Sequence, residues 1–184
     1  QMVTEAASFV KRQVREVITK NLDVYNLGIL TAYAIANTQG VIAGAAVAYN
    51  TIYQLIIAQN AALDELLYSS DGRTLWITPT NYNLLKRDPE FVKGCDESVK
   101  DLKKGILGEV DGLTIVKVPA SYLVTKFEFM ITCKNVAVAV NKFNMIRTLD
   151  NDSNIDGWLV QGRRYFDCFI LGQKATGIKI YTKA

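Results

Sequence analysis

Gly72-Arg73-Thr74-Leu75-Trp76-Ile77-Thr78-Pro79-Thr80-Asn81-Tyr82-Asn83-Leu84-Leu85 (GRTLWITPTNYNLL) decides how the chain is read. Ser69-Ser70-Asp71-Gly72 is strong turn chemistry. Arg73 to Thr78 then reads as a short strand carrying Leu75, Trp76 and Ile77. Pro79 ends it at once, and Thr80 to Leu85 reads as a short helix.

Upstream the texture is helical. From Tyr49 to Leu67, Tyr53, Leu55, Ile56, Ala62, Leu63, Leu66 and Leu67 populate one apolar face. Residues 4 to 36 read as one long helix or two collinear ones, with Thr4 as a cap and Glu5 in the first turn. Phe9, Val10, Val14, Val17, Ile18, Leu22, Tyr25 and Ile29 form its stripe. Gly28 weakens the run, so a bend or end is expected there. Asn37-Thr38-Gln39-Gly40 closes the segment with turn residues.

Downstream the texture turns to strand. A further short helix is expected between Pro89 and Lys104. Gly105 to Gly112 reads as a strand turning through Asp111-Gly112, the strongest two-residue hairpin signal, into Leu113 to Val118. Phe127 to Cys133 is apolar enough for a buried strand. Val136 to Val140 stays ambiguous between helix and strand. Thr148 to Gly157 reads as a polar loop. Trp158 to Leu171 reads as a long strand, Gly172 to Gly177 as a turn, and Ile178 to Thr182 as a closing strand. Helices, then a mixture, then strands make the class α+β.

The 184 residues suit one sizeable domain or two small lobes, and the net charge of +3 does not point to a dedicated nucleic-acid binder. Cys95, Cys133 and Cys168 have no metal-ligand spacing, and an odd count cannot complete a disulfide framework, so they read as reduced, buried groups of a protein made in a reducing cytoplasm. The chain opens Gln1-Met2-Val3, as a fragment or a processed chain would. No charge occurs between Asp23 and Asp64, but Asn37 to Gly40 and Asn50-Thr51 interrupt that stretch, which favours buried helices over a membrane span.

Chemistry-bearing motifs are scarce. The chain has no histidine, the usual general base. Carboxylates gather as Asp64 and Glu65, Asp88 and Glu90, and Asp150, Asp152 and Asp156. The stretch from Asp150 fails as a calcium loop, because Ile155 stands at position six and Gln161 at position twelve. Arg163-Arg164 and Lys103-Lys104 could touch phosphate, although strand-edge arginines commonly shield an edge. No cofactor, metal or catalytic set is expected, and the chain is read as not an enzyme.

Three stretches carry a resemblance. Gly72 to Leu85 resembles a strand–Pro–helix segment of tailed-phage major capsid proteins. Gly108-Glu109-Val110-Asp111-Gly112-Leu113-Thr114-Ile115-Val116-Lys117-Val118-Pro119 resembles that family's hairpin. Gly162-Arg163-Arg164-Tyr165-Phe166-Asp167-Cys168-Phe169-Ile170-Leu171, followed by Lys174 to Ile178, is similar to its C-terminal strands. They come in the family's order, and the long first helix is similar to its spine helix. The family's N-terminal arm and extended loop have no counterpart here.

The resemblance implies the Hong Kong 97-like capsid fold, with residues 1–48 and 136–171 as a peripheral lobe and residues 49–135 and 172–184 as an axial lobe. It also implies a coat subunit that self-assembles, as pentamers and hexamers, into an icosahedral phage or prophage shell around the genome. Scaffolding protein, portal and non-specifically contacted DNA are the implied partners, without a membrane. The virion is the implied location, after assembly in the bacterial host cytoplasm. Asp150, Asn151, Asp152, Ser153, Asn154 and Asp156 would form an inter-subunit loop at the tip of the peripheral lobe. An encapsulin-like nanocompartment shell is the alternative. A hydrolase using carboxylates alone and a membrane-associated protein anchored by residues 41–57 are the readings from other classes.

Overall fold

A computed structural model of the chain describes residues 2–90, 108–152 and 155–184. The long helix forms as α1 (Met2–Gln13) and α2 (Thr19–Ala36), joined by a π-helical turn over Val14–Ile18. The Thr19 N–H and hydroxyl both reach back five residues to the Val14 carbonyl, which widens that turn. Two expectations are corrected here. Met2 is already helical, so Thr4 lies inside the helix and does not cap it. Helical backbone continues past Gly28 to Ala36, because Leu27, Thr31 and Ala34 bury that stretch against the body. Buried Thr31 satisfies its hydroxyl on the Leu27 carbonyl at 2.8 Å.

After the turn, β1 (Gly40–Gly44) runs parallel to β8 (Ile178–Lys183). Gly40 has φ +116°, and a Cβ there would lie 2.2 Å from the Ile180 carbonyl oxygen, so only glycine permits this approach. Next comes α3 (Ile52–Glu65), buried through Ile52, Ile56, Asn60 and Leu63. Its end is a Schellman motif: the Tyr68 N–H donates to the Leu63 carbonyl and the Leu67 N–H to the Asp64 carbonyl. Leu67 holds the left-handed position (φ +59°), where glycine is favoured, and is 93% exposed. Leu67→Gly is therefore expected to stabilise the chain by about 1 kcal/mol, read as a higher urea midpoint. A lower midpoint would mean that Leu67 makes contacts its exposure hides.

The deciding stretch folds as read. Strand β2 (Thr74–Ile77) leads into α4 (Pro79–Leu85), with Thr78 Oγ1 accepting from the Asn81 N–H and Pro79 in the first turn. The helix expected between Pro89 and Lys104 lies outside the described residues beyond Glu90, as do Cys95, Lys103 and Lys104. The hairpin forms from β3 (Glu109–Val110) and β4 (Leu113–Lys117), with Asp111 at φ +49° and Gly112 at φ +72° between them. Two consecutive positive φ values make the type I′ turn whose twist matches its strands.

Strand β5 (Phe127–Thr132) is buried along its whole length, between β8 and β2. The six strands order as β1-β8-β5-β2-β4-β3, a mixed sheet. Leu75, Ile77, Phe129, Ile131, Ile178 and Ile180 are fully buried at its centre. With α1–α4 the class is α+β, as expected.

The remaining chain is a two-stranded antiparallel ribbon, β6 (Ala137–Asp152) and β7 (Ile155–Ile170), paired from Ala137↔Ile170 to Asp152↔Ile155. The ambiguous Val136 to Val140 stretch resolves into strand from Ala137 onward, with Val136 in the bend before it. The polar loop expected over Thr148 to Gly157 is corrected: extended pairing continues through both flanks, and only positions 153 and 154 separate the strands. Sixteen residues per strand give a ribbon on the order of 50 Å long. Residues 40–44, assigned by sequence to the same lobe as this ribbon, are instead hydrogen bonded into the six-stranded sheet.

Candidate assembly surface

Cross-strand partners lie on the same face of a ribbon, and alternate residues lie on opposite faces. Val138 opposes Phe169, Val140 opposes Asp167, and Met145 opposes Arg163. A register shift between Asn141 and Phe143 sets two steps of β6 against one step of β7. This bulge reverses the alternation in β6, so Val138, Val140 and Met145 share a face with Tyr165 and Phe169. That face also carries Asp167 and Arg163, and its apolar side chains are exposed: Tyr165 is 60% exposed, Phe169 54%, Met145 47%, and Val138 and Val140 42% each. Tyr165 and Phe169 both lie at the surface. Beyond Met145 the face turns cationic in a cleft lined by Arg147, Gln161 and Arg163, where Arg147 Nε and Nη2 donate to Gln161 Oε1 at 3.0 and 2.6 Å.

Helix α2 braces the ribbon. Tyr25 stacks edge-on to Phe166 at 5.2 Å, and its hydroxyl donates to Asp167 Oδ1 at 2.9 Å. That hydrogen bond, with some desolvation, raises the Tyr25 phenol above its ordinary range. Because the folded value is raised, this contribution is fully present below the ordinary tyrosine range and is lost as pH rises through the raised one. Tyr25→Phe is expected to lose less stability than the parent chain between pH 9 and pH 11.5, in paired denaturant titrations. Equal losses would refute the coupling. Other apolar residues along this long helix are also open, among them Phe9, Val17 and Val24.

The six loop residues divide across the hairpin end. Asp150, Asn151 and Asp152 finish β6, Asp156 lies in β7, and Ser153 and Asn154 lie outside the described residues. Pairing thus gathers the acidic run at the end of the ribbon farthest from the sheet. No group of three or more His, Cys, Asp or Glu among the described residues could hold a metal ion. Cys133 and Cys168 are free and buried, and burial is the main cause that pushes both thiols above their ordinary range. Among the described residues no helix is long and apolar enough to cross a membrane.

Two of these carboxylates, Asp64 and Asp88, have structural partners. Asp64 pairs with Arg73 at 2.7 Å. Asp88 is fully buried and accepts from the Tyr53 N–H at 3.2 Å, capping α3 from a distant part of the chain, and from the Glu90 N–H at 2.9 Å. Sequence reading missed the weight of Arg73, which is 1% exposed and donates to the Ser69, Asn60 and Tyr68 carbonyls, to Asn60 Oδ1 and to Asp64.

No family model matches the chain, and no curated protein matches it. Solved structures do. A structure from Mycobacterium phage Che8 matches with a TM-score of 0.67 and 14% identity, over 97% of this chain and 61% of that one. The bacteriophage PhiM1 mature capsid matches with a TM-score of 0.67 and 12% identity, over 96% and 64%. A virus-like particle from Pyrococcus furiosus matches less closely, with a TM-score of 0.52 and 15% identity, over 90% and 64%. The fold is therefore the tailed-phage major capsid protein fold. The chain spans roughly three-fifths of the length of these structures.

Proposed function

We propose that the chain is the coat subunit of a phage or prophage shell, a structural protein rather than an enzyme. The observation that carries this reading is the long two-stranded ribbon. Two strands alone are marginal in water, and this pair keeps aromatic and aliphatic side chains open on its sheet-proximal part, from Val138 to Met145 and Tyr165 to Phe169. A surface of that kind is stabilised when neighbouring copies cover it, and the capsid fold supplies repeated neighbours. Burying it in interfaces of about 1,600 Å² gives modest pairwise affinity, which a closed shell multiplies over many copies.

In this reading the ribbon and the long helix form the peripheral lobe, and the six-stranded sheet with α3 and α4 forms the axial lobe, into which β1 also falls. The acidic hairpin end from Asp150 to Asp156 meets other copies. Scaffolding protein, portal and enclosed DNA are partners, and the shell assembles in the host cytoplasm and persists in the virion.

Negative-stain electron microscopy with light scattering on the full-length gene product tests the reading. Uniform closed shells tens of nanometres across are expected. Shells enclosing protein cargo rather than DNA would instead favour the nanocompartment, the reading that the Pyrococcus furiosus likeness supports. A strictly monomeric product, with and without scaffold, would overturn both.

A further inference from the structure

We infer that the cleft holding Arg147 and Arg163 receives the acidic hairpin end of a second copy of this chain, so that ribbons meet tip to flank. The inference rests on the shell reading and adds to it the surface that the hairpin end meets. Along the ribbon the charges are sorted. Its cations, Lys142, Arg147, Arg163 and Arg164, fall in the middle part of β6 and β7, and Asp150, Asp152 and Asp156 fall at the free end. The remaining carboxylate, Asp167, is held by the Tyr25 hydroxyl at 2.9 Å and by the Cys168 N–H at 2.8 Å.

The two arginines lie together. Met145 pairs with Arg163, and Arg147 pairs with Gln161 two steps farther along the same face. All four line one cleft of about 360 Å³. Gln161 Oε1 accepts from Arg147 Nε and Nη2, which orients the guanidinium. Both arginines are exposed, and among the described residues neither has a carboxylate at ion-pair distance. Planar forks held in this way match a carboxylate.

The acidic end of the same ribbon cannot fill the cleft. Neighbours on one strand face are two residues apart, whereas Asp150 and Asp152 lie three and five positions beyond Arg147, and Asp156 lies five positions before Gln161. Five positions on an extended strand span about 16 Å, and the ladder holds that stretch extended. A second copy has no such restraint. Its hairpin end is narrow, because only positions 153 and 154 separate the strands, and no Lys or Arg occurs between Arg147 and Arg163 to offset its aspartates. Tips that met one another would bring aspartates together, an arrangement that like-charge repulsion disfavours; tip against flank pairs opposite charges. Each copy carries both surfaces, so the contact is heterologous and must close into a ring to serve a closed shell.

The test is the concentration at which the full-length gene product assembles, read by light scattering and electron microscopy, with thermal melts of every variant. Arg147→Glu with Arg163→Glu, and separately Asp152→Lys with Asp156→Lys, should each raise that concentration about tenfold or more at low salt. All four substitutions in one chain restore opposite charges across the contact and should return it to within about threefold of the parent. Failure of the combined variant to recover, or assembly of either reversed variant at the parent concentration, would overturn the inference. So would a loss confined to the arginine reversal, which would give the cleft to some other acidic surface. Where a reversed variant melts early, Arg147→Gln, Asp152→Asn and their combination take its place. The combination should then weaken assembly no more than either single change, and additive losses would overturn the contact. A parent that never assembles defeats the shell reading and this inference with it, whereas a parent that assembles no better than the reversed variants defeats this inference alone.

Discussion

Arg73→Leu is expected to cost about 3 kcal/mol of folding stability, or to leave the chain unable to accumulate in soluble form. The magnitude follows from what the guanidinium satisfies. All its donors are used: Nε on the Ser69 carbonyl at 3.0 Å, Nη1 on Asn60, and Nη2 on Asp64 at 2.7 Å and the Tyr68 carbonyl. Several of these acceptors lie at or beyond the C-terminal end of α3, where carbonyls lack helical partners and a cation is favoured by the helix dipole. Asn60 in turn donates to Asp111 Oδ2 at 3.1 Å, so the same hub fixes the hairpin turn onto α3.

Leucine fills much of the volume but strands those acceptors away from water. Arg73→Lys should recover only part of the loss, because an ammonium cannot reach acceptors spread around a planar fork. Asp64→Asn should cost under about 1 kcal/mol, since the Asp64 side chain is 60% exposed and its charge is largely solvated. With a urea dependence of about 2 to 3 kcal/mol per molar, the Arg73→Leu midpoint should fall by about 1 M or more. An Arg73→Leu midpoint within about 0.2 M of the parent would show that the hub contributes little.

That hub also marks the boundary of what sequence can tell. Local signals were legible because their causes are local. Asp111-Gly112 is read as a type I′ turn since few residues tolerate two positive φ values in succession, and the structure has both. Thr78 and Pro79 announce the start of α4 through capping and a preset φ. The apolar run of β5 predicts a buried strand because neither of its faces meets water.

Other features depend on partners distant in the chain, and these went unread. Nothing near Arg73 says that it is buried, since its acceptors come from the end of a helix folded back over it. Asp88 looks like half of a carboxylate pair until α3 is placed beside it. The run from Thr148 to Gly157 is dense in residues that favour turns, yet a ladder that continues from both sides holds Thr148 to Asp152 and Ile155 to Gly157 extended. The register shift near Asn141 is also invisible in sequence, and it decides which residues share the open face of the ribbon.

Phe169→Asp combined with Tyr165→Asp is expected to abolish shell formation while leaving the subunit folded. Both side chains are more than half exposed, so the subunit's own stability should change by within about 0.5 kcal/mol. In the proposed assembly, contacts between copies are where they would contribute most. Each of these half-exposed aromatics can bury on the order of a further 120 Å² when a neighbour covers it, worth about 3 kcal/mol at 25 cal/mol per Å² before ordering costs are subtracted. Replacing both with carboxylates removes that gain and places charge in a desolvated seam. Even a net loss of about 3 kcal/mol per contact raises the concentration needed for assembly more than a hundredfold. Arg163→Gln, at the cationic rim of the same face, should instead alter the salt dependence of assembly with little effect on its yield at moderate ionic strength. Light scattering against subunit concentration, with thermal melts of the same samples, separates the outcomes. Shells that form at the parent concentration from the double variant would remove the ribbon face from the assembly surface and leave the helix stripe at Phe9 and Val17 as the face to test.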